Sequence, residues 1–141
     1  MKQARGLRNN NPLNIIKSKI AWKGEINPST DKNFAQFETL EYGLRAALCL
    51  LSTYYNKHGC RTVRSIVARW DPEGEKVINA YVQTVCRLTG LKPEAQLPPM
   101  KAETQVVWCD LVLAMATMEC GLSAQQREEL APYVARAWEI L

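Results

Sequence analysis

The chain has 141 residues, of which 47% are hydrophobic and 23% charged, and its formal net charge is +4. These values predict one globular domain with its own core and argue against a disordered chain. The apolar run at residues 111–118 is too short to span a membrane, and the N-terminus lacks the apolar core of a signal peptide. We therefore expect synthesis in the cytoplasm, so that action outside the cell would require delivery by another component.

The five cysteines and the modest positive charge exclude few functions. The cysteine count is odd and no Cys-x-x-Cys pair occurs, which argues against a zinc site and against a secreted disulfide framework. No metal or cofactor is predicted. A net charge of +4 suits an anionic cell-wall polymer or nucleic acid without distinguishing them.

In chain order, a loop-rich region is followed by helices. Residues 1–40 carry little periodicity, apart from a short strand predicted at 34–37. Thr39 caps a helix predicted over 41–58, Thr62 caps one ending at Trp70, and further helices are predicted over 75–89 and 101–120. Ser123 and Gln126 form a capping box that starts a last helix, with an interruption predicted near Pro132. The fold class is mainly α, with 1–40 as a loop-rich region and 41–141 as a helical core.

An asparagine cluster stands out near the N-terminus. Asn9, Asn10 and Asn11 precede Pro12, and Asn14 follows. Such residues favour turns, and their amide groups both donate and accept hydrogen bonds. Two interpretations stay open: a turn that bonds to itself, and a site for a ligand rich in hydroxyl and acetamide groups.

A single carboxyl group marks the end of the most apolar helix. Glu119 is the only charged residue in the last two turns of the helix predicted over 101–120. The negative end of the helix dipole and partial burial both raise the pKa of a carboxyl group, as a general acid requires. A solvated glutamate at a helix end is the alternative.

Several segments together resemble a family of phage virion and prophage-derived proteins with a lysozyme-like fold. The similarity begins with the Arg-Gly-x-Arg-Asn-Asn-Asn-Pro-x-Asn-Ile pattern of residues 5–15. It continues through residues 22–24, 31–37, 41–46, 62–72, 79–82 and 89–90, and ends with the Met-Glu-Cys-Gly segment at 118–121. The resemblance implies a peptidoglycan-binding protein that cleaves the glycan strand as a muramidase or lytic transglycosylase, with other virion proteins as further partners.

The same resemblance assigns roles to individual residues. It implies that Glu119 is the general acid and that Asn10, Asn11, Asn14 and Trp22 hold sugar, and Asp31 is predicted as a further substrate contact. In related cell-wall glucosaminidases the asparagine turn follows the catalytic helix, whereas here it precedes it, so we hypothesise a circular permutation. This requires Glu119 and the turn at residues 10–14 to share one sugar-sized pocket, within about 15 Å of each other.

A second carboxylate would serve as base or nucleophile, and Glu25 and Asp31 are the candidates. Each has the alternative of being a surface loop charge. If neither approaches Glu119, a single-acid scheme is favoured, in which a hydroxyl of the substrate attacks and an anhydro sugar forms. Glu25 is also the alternative general acid, because it directly follows residues 22–24.

Three positions depart from the family pattern. Cys120 stands where the family often carries Asn, Met118 where it often carries His, and Leu13 where it often carries Gly. The first two remove polar neighbours of Glu119, and Leu13 makes a positive φ costly at its position. Trp70 and Trp108 lie in apolar helical patterns and are predicted to be core residues.

Three rival functions are considered. The segments at 62–70 and 75–89 resemble a helix-turn-helix, but the second helix has few base-reading side chains, which disfavours nucleic-acid binding. A cysteine nucleophile beside His58 is set aside, because adjacency on a helix end gives no nucleophile–base geometry. A catalytically silent module that binds glycan or a virion protein stays open.

Overall fold

A computed structural model of the chain describes residues 3–141, and helices dominate them. The helices are α1 (Arg5–Arg8), α2 (Leu40–His58), α3 (Val63–Trp70), α4 (Glu75–Thr89), α5 (Gln105–Cys120) and α6 (Ala124–Glu139). Two short strands, β1 (Glu25–Ile26) and β2 (Gln36–Phe37), pair antiparallel with Glu25 opposite Phe37. The mainly α class with a small irregular and β region at the N-terminus is confirmed.

Most helix ends follow the predicted signals. The Thr39 side chain accepts a hydrogen bond from the Tyr42 amide at the start of α2, and capping boxes begin α3 and α6. The interruption predicted near Pro132 was wrong, because α6 is continuous. Pro132 lies on the exposed face, where water can bind the carbonyl group that loses its partner.

Helix α5 is the centre of the core. It begins at Gln105, after a 3₁₀ turn at Ala102–Thr104, which is later than predicted. Trp108 is 0% exposed, which confirms it as a core residue, and α5 packs against α1, α2, α4 and α6. Because helices surround α5, its last turn lies close to both the N-terminal region and α4.

The asparagine cluster packs against the first turns of α2. A Cβ atom added at Gly43 would overlap the carbonyl oxygen of Asn10 and lie 3.3 Å from Cα of Asn11. The missing side chain at Gly43 therefore sets how closely the N-terminal loop approaches the helical core.

We expect Gly43→Ala to destabilise the protein, although alanine is the better helix former by about 1 kcal/mol. The added methyl group must push the Asn10 carbonyl away, and such overpacking typically costs about 1–3 kcal/mol. Urea unfolding measures the change, with Asn56→Ala on the exposed face of α2 as the control. A variant at least as stable as the wild type would contradict the packing argument.

Candidate functional site

Asn11 fixes the fold of the N-terminal loop. Its side chain is 0% exposed, and its Nδ2 group donates to the carbonyl oxygens of Ile15 and Ala35, both at 2.9 Å. Its Oδ1 accepts from the Ile15 amide at 2.9 Å. The predicted sugar contact of Asn11 was wrong, because internal bonds use the amide and no surface is left for a ligand.

Asn10 also has a structural role. It takes a φ of 52°, and its Nδ2 group donates to the Phe37 carbonyl at 3.0 Å. It is half-buried. The contacts of Asn10 and Asn11 therefore fit a turn that bonds to the protein itself better than they fit a ligand site.

Asn14 differs from its neighbours because it contacts the predicted acid. Its Nδ2 group lies 3.2 Å from Oε1 of Glu119 and 3.3 Å from the Glu119 carbonyl oxygen. The expected proximity of Glu119 and the asparagine turn is confirmed. Asn14 itself takes the positive φ, at 55°, while Leu13 is buried in the core, so the turn forms without a glycine at position 13.

Glu119 lies in the last turn of α5, just before Gly121 ends the helix in the left-handed conformation. The hydroxyl of Tyr81 donates to its Oε2 at 3.0 Å. Burial raises the pKa of the Glu119 carboxyl, the hydrogen bonds from Asn14 and Tyr81 lower it, and the charge of Asp71 raises it again. The net pKa shift is upward, as a proton donor near neutral pH requires.

Tyr81 is a residue that the sequence did not identify as part of the site, and Asp71 acts on Glu119 through its charge. Tyr81 lies on α4 and is 3% exposed, and its hydroxyl binds the Glu119 carboxyl. A buried tyrosine hydroxyl needs a partner, and that need was the available signal. Burial, followed by the charge of Glu73, raises the pKa of Asp71.

The two carboxylates predicted as partners of Glu119 have other contacts. Asp31 pairs with Arg5 at 2.6 Å and accepts from Asn9 at 2.9 Å, and its side chain is 8% exposed. The bond from Arg5 holds the pKa of Asp31 well below its usual range. Asp31 was therefore wrong as a base or ligand contact, because its oxygens are occupied within the fold. Oε1 of Glu25 accepts from the Trp22 amide at 3.1 Å.

A cleft of about 230 Å³ has Asn14 in its wall. Three aromatic side chains also line it: Trp22, Tyr54 and Trp70. Trp70 was wrongly predicted to be a core residue. It is half-buried at the end of α3, where its Nε1 group donates to the Leu13 carbonyl at 3.3 Å and its ring meets Tyr54 edge-on at 5.8 Å. Asn14 thus joins the aromatic cleft to Glu119.

A larger groove of about 510 Å³ lies elsewhere, between α6 and the starts of α1 and α2. Leu7, Leu40, Leu130 and Tyr133 supply its apolar wall. It contains none of the residues predicted for the site, so the aromatic cleft remains the candidate.

The part of the chain described, residues 3–141, also bears on metal ligands, membrane spans and thiols. These residues include no group of three metal-ligating side chains, and no helix long and apolar enough to cross a membrane. Burial raises the pKa of the Cys120 thiol to about 11. Its Sγ donates to the Pro12 carbonyl at 3.3 Å. A thiol with a raised pKa is a poor nucleophile.

Fold and site together define a mainly helical protein with a half-buried carboxyl group beside a small aromatic cleft. The chain belongs to the phage protein family that includes Protein P5 of Pseudoalteromonas phage PM2. The two are 35% identical over 130 residues, which is 90% of this chain and 78% of Protein P5. The chain matches no protein-family model.

We expect Asn11→Ala to lower the free energy of unfolding by about 3–5 kcal/mol, because it leaves the buried Ile15 amide and Ala35 carbonyl without partners. The Ile15 carbonyl keeps only the bond from the Ala35 amide. Urea unfolding followed by circular dichroism measures the loss. Asn33→Ala, on the exposed part of the same region, is the control and should stay near the wild type. A loss for Asn11→Ala no larger than that of the control would contradict the anchoring role.

The raised pKa of Glu119 predicts a pH-dependent effect on stability. A carboxyl group with a raised folded pKa binds its proton more tightly in the folded state, so stability falls as pH rises from the unfolded pKa through the folded one. Glu119→Gln carries no charge, so it should be more stable than the wild type at about pH 7, with a smaller difference at about pH 4. Urea midpoints at both values test this, with exposed Glu128→Gln as the control. If the midpoint difference between Glu119→Gln and the wild type is the same at both pH values, the charge of Glu119 does not destabilise the fold.

Proposed function

We propose that the protein binds peptidoglycan and cleaves its glycan strand, acting as a single lysozyme-like domain with a circularly permuted order of elements. The observation that carries this is the contact between Asn14, in the wall of the aromatic cleft, and Glu119, whose pKa is raised by burial. Membership of a phage protein family supports the assignment.

Sugar binding is assigned to the aromatic cleft. The rings of Trp22, Tyr54 and Trp70 offer apolar faces for sugar C–H groups. Asn14 is the one asparagine of the predicted set that lines this cleft, so it replaces Asn10 and Asn11 as the amide contact.

Glu119 is assigned as the general acid. It transfers its proton to the glycosidic oxygen while the bond from that oxygen to the anomeric carbon breaks. The resulting carboxylate keeps hydrogen bonds from Asn14 at 3.2 Å and from Tyr81 at 3.0 Å. These two bonds stabilise the charged form after transfer and hold the carboxyl in place, while burial raises its pKa and so favours the protonated form before transfer.

The single-acid scheme fits the contacts of Glu119 better than a two-carboxylate hydrolysis. Asp31 is ion-paired with Arg5, and Glu25 bonds to the backbone of Trp22. In the single-acid scheme, a hydroxyl oxygen of the substrate bonds to the anomeric carbon and releases its proton to Glu119. The acid is thereby regenerated and an anhydro sugar forms. Asp71, whose charge acts on Glu119, is the candidate base if water attacks instead.

We expect the wild type to release soluble muropeptides from purified sacculi, and Glu119→Gln to lose at least about a hundredfold in rate. Tyr81→Phe should lose less, because it removes one hydrogen bond and keeps the acid. Glu128→Gln, with its exposed side chain, is the matched control and should keep full activity. Mass spectrometry of the products separates anhydro sugars from the hydrolysed ends that are heavier by one water.

Two outcomes would change the assignment. Full activity in Glu119→Gln with loss in Glu25→Gln would move the acid to Glu25. If the products carry hydrolysed ends and Asp71→Asn loses activity, a two-carboxylate scheme would replace the single-acid one.

A second candidate function is a catalytically silent module that binds glycan or another virion protein. The observation in its favour is that Glu119 does not itself line the aromatic cleft, which it contacts through Asn14. Binding to several types of sacculus without any release of muropeptides would support this candidate.

A further inference from the structure

Along the segment at residues 16–23, side chains that line the aromatic cleft alternate with side chains that do not. Ile16, Ser18, Ile20 and Trp22 line the aromatic cleft. The intervening positions include Lys17, Lys19 and Lys23, all exposed, which we call the lysine rim. Alternation of this kind is typical of an extended chain, in which successive side chains take opposite sides. The lysine rim therefore follows the edge of the cleft without filling it.

The segment is held in place from one side. Ile16 forms an antiparallel bridge with Phe34, and the Lys17 amide donates to the Asn33 carbonyl at 3.0 Å. These contacts fix the start of the segment at Ile16 and Lys17, and the bond from the Trp22 amide to Glu25 holds its other end, next to Lys23.

The positive charge of the lysine rim is not neutralised within residues 3–141. The ion pairs there are Arg5–Asp31, Arg64–Glu94 and Arg136–Glu41, and none includes a lysine. The closest acidic residues in the sequence are Glu25, which bonds to the Trp22 amide, and Asp31, which is paired with Arg5. The edge of the cleft thus carries a local positive potential that attracts anions.

The cleft itself is small. Its volume of about 230 Å³ lies below the range of about 300–1,000 Å³ usual for small-molecule sites. Aromatic rings and one amide also give it no charge with which to recognise an ionised ligand. A long glycan strand bound there must gain affinity from contacts outside the cleft.

We propose that the lysine rim binds the carboxylate groups of peptide stems attached to the glycan strand. This inference rests on the proposed function, and it names the substrate class as stem-bearing peptidoglycan in place of bare or chitin-like strands. The uncharged cleft holds the sugars, while the stems extend past its edge and bring their carboxylates to Lys17, Lys19 and Lys23. Several charge pairs at one edge add affinity that a single exposed pair does not provide.

The test measures binding, so that it stays independent of cleavage. Fluorescence anisotropy gives the Kd for two dye-labelled glycan chains of equal length. One carries stems; the other is stripped of them by an amidase, and the lactyl carboxylates that this hydrolysis exposes are capped as uncharged methylamides. The wild type should bind the stem-bearing chain about tenfold more tightly at low salt, and the preference should shrink as salt rises. The triple variant Lys17→Gln, Lys19→Gln, Lys23→Gln should lose the preference and keep its affinity for the stripped chain.

A matched control changes the same charge elsewhere. Lys57→Gln, Lys76→Gln, Lys92→Gln removes three exposed lysines from other surfaces and should keep the preference for stems. Equal affinity of the wild type for the two chains, or equal weakening by both triple variants, would overturn the proposal. Failure to cleave sacculi while the stem preference persists would count against the enzymatic function alone.

Lipid is the competing anionic surface, because exposed Ile16 and Ile20 accompany the lysines. Co-sedimentation with vesicles of phosphatidylglycerol and phosphatidylcholine tests it. Vesicle binding that is lost in the lysine-rim variant, together with no stem preference, would assign the surface to lipid instead.

Discussion

The buried amide of Asn11 is the interaction on which the rest of the site depends. It replaces water for three backbone groups of Ile15 and Ala35 in a region with only four residues in regular strands. Loops usually stay at the surface, because their buried backbone groups lack partners. By supplying those partners, Asn11 lets the N-terminal loop pack onto the helical core, and the next turn then brings Asn14 to Glu119.

Opposing electrostatic effects set the state of Glu119. Burial removes water from the carboxyl group and favours its protonated form, whereas hydrogen bonds from Asn14 and Tyr81 favour the charged form. Burial is the larger effect, so the group holds its proton at higher pH than an exposed glutamate. The bonds come from segments far apart in sequence, with Asn14 105 residues before the acid. A carboxyl group held from two sides can lose a proton without moving, which suits repeated transfer.

The helices could be predicted because their signals are local. Thr39, the Thr62 and Ser65 pair, and the Ser123 and Gln126 pair act within one turn, so neighbouring sequence is enough. Glu119 could be chosen because it is a single charge at the end of an apolar helix. Its proximity to the asparagine turn could be expected only through the resemblance to known proteins, since no local signal joins residues 105 positions apart.

The errors share a physical cause, which is that residue type does not reveal a long-range partner. Asp31 looked like a free acid because its pairing with Arg5, 26 positions away, leaves no trace in local periodicity. Trp70 was predicted to be core because it lies in an apolar helical pattern, yet its indole N–H donates to the Leu13 carbonyl and its side chain lines the aromatic cleft. Asn11 and Asn14 are the same residue type three positions apart, and only tertiary packing decides which is buried and which reaches the acid.

Cys120 joins the end of α5 to the asparagine turn. Its thiol donates to the Pro12 carbonyl at 3.3 Å, so the residue after Glu119 still links the end of α5 to the asparagine turn. A Cβ atom at Gly6 would lie 2.7 Å from this sulfur and 2.9 Å from Oδ1 of Asn14, so the sulfur occupies space that a side chain at position 6 would need. The small residue in α1 and the thiol in α5 therefore form one packing unit beneath Asn14. Through Oδ1 of Asn14, this unit also adjoins the contact between Asn14 and Glu119.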